Sequence, residues 1–184
     1  MVFCCAPIAT AKRVTDLFLT SAGSFNSEQV ELFDNVLERL VKTIELRALA
    51  DISARMALAE ISEQLAPVTQ APPAIIRRLA GNDEIRIARP VLQESSRLSA
   101  DDLIEIAQTK SEQHLLAVAG RWWLKEVVTD ALLARRFASV SHRLVNNPGA
   151  KVSPDGFAVI LAQAEHDPVL AVETGIRADL PSEL

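Results

Sequence analysis

Helix-start signals recur through this chain at nearly one spacing, and that spacing restricts the fold more than any other feature. Between Pro72 and about Asp179 four short helix pairs follow one another, each opened by a polar capping residue. The second helices of the pairs are expected to begin near Asp83, Ser111, Phe137 and Asp167. These lie 28, 26 and 30 residues apart (111 − 83, 137 − 111, 167 − 137). A near-fixed period of this kind marks an α-solenoid, in which each pair buries its apolar face on its neighbours.

Three helices are expected ahead of the array. Residues 1–11 read as a loose arm, and residues 12–66 as an N-terminal helical cap. Val14, Leu17, Phe18 and Ser21 fall at helical spacing. Asn26 or Ser27 can cap a long second helix, with Phe33, Val36, Leu37, Leu40, Val41 and Ile44 as its buried stripe. Glu31, Asp34, Glu38, Lys42 and Glu45 form its charged outer face. A third helix, roughly Arg47 to Gln64, uses Leu49, Ile52, Met56, Ala59 and Ile61, and Pro67 stops it.

The repeats then occupy residues 72–184. Pro73 suits a first helical turn, and Pro90 lies inside the partner helix, where it removes a backbone donor. Ser99 before Asp101 and Asp102, Ser111, Ser153 before Pro154, and Asp167 before Pro168 read as caps. The final Leu180-Pro181-Ser182-Glu183-Leu184 resembles another helix start. A fifth rung would begin there, and the fourth would then keep an apolar outer side.

Composition narrows the chemistry. The chain is 49% hydrophobic but only 4% aromatic, so a core of Leu, Ile, Val and Ala in closely packed helices is expected. The net charge of −5 argues against a generally basic nucleic-acid binder. The charge is uneven: residues 72–150 hold 11 basic and 9 acidic side chains, whereas residues 151–184 hold 2 and 6. Cys4 and Cys5 are adjacent, so they cannot staple distant elements or complete a zinc site, and they suit a reducing cytoplasm. No uncharged run approaches the ~20 residues that span a bilayer.

The runs Ile87-Ala88-Arg89-Pro90-Val91-Leu92, Leu98-Ser99-Ala100-Asp101-Asp102-Leu103-Ile104 and Asn147-Pro148-Gly149-Ala150 resemble the bacterial family called domain of unknown function 2336. Arg177-Ala178-Asp179-Leu180-Pro181 is also similar to it, and the resemblance runs from about Val14 to the end. It implies HEAT-like helical repeats and a further helical region after residue 184. Its motifs are packing and turn signatures, and it supplies no established activity. Family members often carry an acidic Gly-Asp turn before the third rung's second helix, where this chain has Arg136-Phe137.

Candidate partner-binding residues are few. His114 and His142 lie 28 residues apart (142 − 114) on successive second helices. A metal would need a third ligand, and no cluster at ligand spacing accompanies them, so solvated or hydrogen-bonded surface histidines are expected. In Arg121-Trp122-Trp123-Leu124, the tryptophans beside an arginine could anchor a protein partner. As packing elements, one would fill the gap between two rungs and the other cover the turn, and aromatic bulk favours that reading. Arg86, Arg89 and Arg143 sit on second helices, which line the concave face of many helical solenoids. A phosphate-tracking groove is one use for them, a salt-bridged surface the plainer one.

Phosphate loops, nucleophile elbows and metal-protease helices are missing from the sequence. The expectation is an all-α chain: an α-solenoid of HEAT-like helix pairs behind a helical lead-in. It is expected to serve as a non-catalytic cytoplasmic scaffold or regulatory adaptor that binds another protein, with no cofactor and no metal. The alternative is a nucleic-acid-binding solenoid using the basic central rungs. Self-association through the open last rung is a further expectation.

Overall fold

A computed structural model describes residues 6–48 and 51–181. Cys4, Cys5, Leu49 and the Ser182–Leu184 part of the expected fifth start lie outside the described residues. The described residues form eleven α-helices and no strand, so they are all-helical as expected. Among them, no helix is long and apolar enough to cross a membrane. The fold divides into two compact units, residues 1–98 and 99–184.

The first unit holds α1 (Ala6–Ser21), α2 (Ser27–Ala48), α3 (Ile52–Leu65), α4 (Pro73–Ala80) and α5 (Ile85–Glu94). Its first helix starts earlier than expected, since residues 6–11 are helical. Phe18 is fully buried as expected, but Thr15 is buried beside it and Leu17 is exposed, so the buried face is shifted from the expected one. The Thr15 hydroxyl donates to the Ala11 carbonyl, which makes a polar residue fit for the core. Asn26 and Gln29 exchange reciprocal side-chain bonds of 3.0 and 2.9 Å and open α2. Phe18, Phe25 and Phe33 cluster beside it, with ring centroids 4.9–5.6 Å apart.

Two expectations for this unit need correction. The third helix begins at Ile52 and not at Arg47, because Asp51 accepts the Ser53 N–H at 2.8 Å and fixes the N-terminus there. Its buried side is Ala54, Ala57, Leu58, Ile61, Ser62 and Leu65, while Ile52 and Met56 are exposed. Asp34 is likewise buried rather than on the outer face of α2. Its carboxylate accepts the N–H groups of Ala74 and Ile75, both at 2.8 Å. Pro72, at the N-cap of α4, has no side chain able to cap, so Asp34 caps α4 from another helix. With α3 also packed on α5, the first expected rung folds together with the lead-in.

The second unit holds α6 (Ala100–Thr109), α7 (Glu112–Ala119), α8 (Glu126–Leu133), α9 (Ala138–Val145), α10 (Pro154–Ala164) and α11 (Pro168–Gly175). Each consecutive pair packs within itself. In addition α6 packs on α8 and α8 on α10, while α7 packs on α9 and α9 on α11. Ser99 and Asp102 form a capping box, Ser153 accepts the Gly156 N–H, and Asp167 accepts those of Val169 and Leu170. Ser111 holds the N-cap position of α7 without capping it, since its hydroxyl meets His114 Nδ1 at 2.8 Å.

Helix C-termini in this unit are closed from a distance, by residues that follow the helix two positions later. Asn147 donates to the Ala119 carbonyl at the end of α7 and to the Arg121 carbonyl just beyond it, at 2.9 and 2.6 Å. Arg135 donates to the Ala107, Gln108 and Lys110 carbonyls at the end of α6. Arg177 does the same at the end of α9, to Leu144, Val145, Asn147 and Ala150. These bonds satisfy carbonyls that a helix end otherwise leaves to water.

Candidate interaction surface

The segment between α7 and α8 is short and tightly held. Leu124 donates its N–H to the Gly149 carbonyl and accepts that of Lys151, both at 3.0 Å, as an isolated parallel bridge with Ala150. A Cβ on Gly149 would lie 1.7 Å from the Trp122 carbonyl oxygen, so only glycine permits this approach. Asn147 adds its bond to the Arg121 carbonyl. The backbone of Arg121–Lys125 is thus fixed from the loop that follows α9.

That fixation turns the tryptophans outward. Trp122 is 86% exposed and Trp123 49%, and Val127 on the next turn is 55% exposed. The packing expectation for the pair fails, because Leu124, only 1% exposed, already fills the position between the helices. Lys125 Nζ stands 6.0 Å from the Trp123 ring centroid. Half-buried Arg121 precedes the pair, and burial lowers its guanidinium from the ordinary arginine value. Lys125 joins the surface without having been singled out in the sequence. Val127, which the sequence reads with Val128, Leu132 and Leu133 as core of the third rung, is exposed while those three are buried. The place of Lys125 and Val127 follows from the Gly149 contact, which no local pattern encodes.

The other candidates are distributed differently. Arg86 and Arg89 are exposed on α5 in the first unit, and Arg143 is exposed on α9 in the second. Of the basic centre, Arg78 is held by Glu45 at 2.9 Å and Arg135 by main-chain carbonyls, so these serve internal contacts. His114 is a core residue at 2% exposure, not a surface one. His142 presents Nδ1 to Glu173 at 2.6 Å and Nε2 to Asp167 at 2.8 Å, joining α9 to α11. Only the imidazolium donates from both nitrogens, and these bonds raise the His142 pKa above its ordinary 6.5. An open cleft of about 600 Å³ in the first unit, lined by Arg55, Arg77, Arg78, Glu45, Asp83 and Glu84, has no counterpart in the sequence reading.

Residues 87–184, a little over half of the chain, match the family described as "Uncharacterised protein conserved in bacteria (DUF2336)". The chain belongs to the DUF2336 family. The match is narrower than the span expected from Val14 onward, and α1–α4 lie ahead of it. The DUF2336 segment contains the whole tryptophan loop and the Asn147-Pro148-Gly149 turn that supports it. No curated protein and no solved structure matches the chain.

Proposed function

We propose that this chain is a non-catalytic protein-interaction scaffold or regulatory adaptor, and that the Trp122–Trp123 loop is its docking centre. One observation carries the reading: two adjacent tryptophans stand exposed on a backbone pinned by Gly149, Ala150 and Asn147. Aromatic anchors beside arginine dominate interface hot spots, and a fixed loop loses little entropy when a partner closes over it. We read the pairs α6–α7, α8–α9 and α10–α11 as HEAT-like rungs of an α-solenoid. Two features support that reading. The N-caps Ser99, Lys125 and Ser153 are 26 and 28 residues apart (125 − 99, 153 − 125). The C-terminal bonds of Asn147 to Ala119 and of Arg135 to Ala107 each reach back 28 residues, and those of Arg177 reach back 27 to 33. A cytoplasmic setting belongs to the same reading, because the sequence has only two cysteines, the adjacent Cys4 and Cys5, and so offers no disulfide framework.

Affinity capture with the intact chain, compared with a Trp122→Ala, Trp123→Ala variant, tests the proposal. The variant should lose its partner by about 2 kcal/mol or more, roughly 30-fold in affinity, with its melting curve unchanged. Capture of the same proteins by both forms would remove the loop from the interface. Steeply salt-dependent binding to duplex DNA, insensitive to the tryptophans, would favour the nucleic-acid reading instead.

A further inference from the structure

Helix α11 packs on α9 and α10, with Leu170 and Thr174 fully buried. Its opposite side carries Val169, Val172 and Ile176, exposed by 61%, 64% and 77%. Val169 and Val172 stand at i, i+3 on the helix, and Ile176, at its C-cap with helical φ −83° and ψ −16°, continues the stripe at i+7. Single exposed apolar residues are ordinary, whereas a continuous stripe is the form a helix-to-helix contact takes. Within the same unit α9 lies against α7 and α11 against α9, so helix-on-helix burial is how this architecture covers such faces.

The charge around the stripe selects the occupant. Glu165 and Asp167 immediately precede α11, Glu173 lies on it and Asp155 lies on α10, which packs against α11. From Pro154 to Gly175 the chain carries no Lys or Arg. His142 faces Asp167 and Glu173. Lys151 and Arg177 stand with Ile176 at the C-terminal margin, where Arg177 is held by Asp179 and main-chain carbonyls. We infer that the α11 face docks a basic amphipathic helix, whose apolar positions lie on Val169, Val172 and Ile176 and whose Lys and Arg flanks meet the carboxylates. This site is separate from the tryptophan loop and does not rest on it.

The probe is a synthetic amphipathic helix with leucines at that spacing and lysines on its flanks, titrated into the 184-residue chain by calorimetry. The lysine peptide should bind, the same peptide with glutamates should not, and 0.5 M salt should weaken the complex. Val172→Lys should lower affinity at least about tenfold with unchanged thermal unfolding. Val172→Ser should act in the same direction, less strongly. The Trp122→Ala, Trp123→Ala protein should bind the peptide as the wild type does, so that failure of either site is seen separately. Equal binding of the lysine and glutamate peptides, no binding of either, or undiminished binding by Val172→Lys would overturn the inference. So would concentration-dependent self-association abolished by Val172→Lys, which would assign the face to a second copy of the chain.

Discussion

Arg136 adopts φ 55°, the one left-handed non-glycine among the described residues. There a Cβ crowds the neighbouring carbonyl, at a cost of about 1–2 kcal/mol that glycine avoids. Phe137 follows at the N-cap of α9 and makes no side-chain cap bond. The Gly-Asp turn that the resemblance implies for this place would supply both missing properties, a left-handed residue and a capping carboxylate. Arg136→Gly is therefore expected to stabilise the chain by about 1 kcal/mol, read as a higher urea midpoint with unchanged slope. An unchanged or lower midpoint would mean that Arg136 contributes contacts outweighing its backbone strain. The sequence flagged this position through its departure from the family pattern. Gly149 was visible only as part of a turn, since the Trp122 carbonyl it accommodates comes from a loop closed by the fold.

Helix starts were legible because capping is local. Ser99, Ser153 and Asp167 bond to N–H groups two or three residues ahead, so a short window contains both partners. The distant closures were not. Asp34 lies 40 and 41 residues from the N–H groups it accepts, and the carbonyls taken by Arg135 are 25–28 residues away. By composition alone these residues pass for a solvated face. The contact between α9 and α11 through His142 is of the same kind, and it makes a pH prediction. The His142 pKa is raised by its bonds to Glu173 and Asp167, whose own values are lowered from 4.5 and 3.8. The histidine's contribution is complete below its ordinary 6.5 and is lost as pH rises through its raised folded value. The carboxylates' share is complete above 4.5 and is lost as pH falls through their lowered values. The stability difference between wild type and His142→Gln should thus be largest between pH 4.5 and 6.5 and shrink toward alkaline pH. A difference that grows above pH 7 would contradict the assigned charge state.

At the scale of the whole chain, the period of helix starts held: the observed N-caps Glu84, Ser111, Phe137 and Asp167 fall within one residue of the four expected second starts. Where the chain divides was not legible. Ser99 opens a helix like its counterparts, and the boundary before it arises because Asp34 and α3 draw α4 and α5 into the first unit. The tryptophans were legible as an oddity but not as a surface, because their exposure depends on Leu124 taking the buried position and on Gly149 lacking a side chain. These two tryptophans are the only ones in a chain without tyrosine, so its intrinsic emission reports on this loop alone. Acrylamide quenching of that emission, folded against urea-unfolded, tests directly whether the proposed docking centre is presented to solvent. The folded chain should emit as a water-exposed indole and be quenched nearly as efficiently as the unfolded chain. A blue-shifted emission that resists acrylamide until the protein unfolds would contradict it.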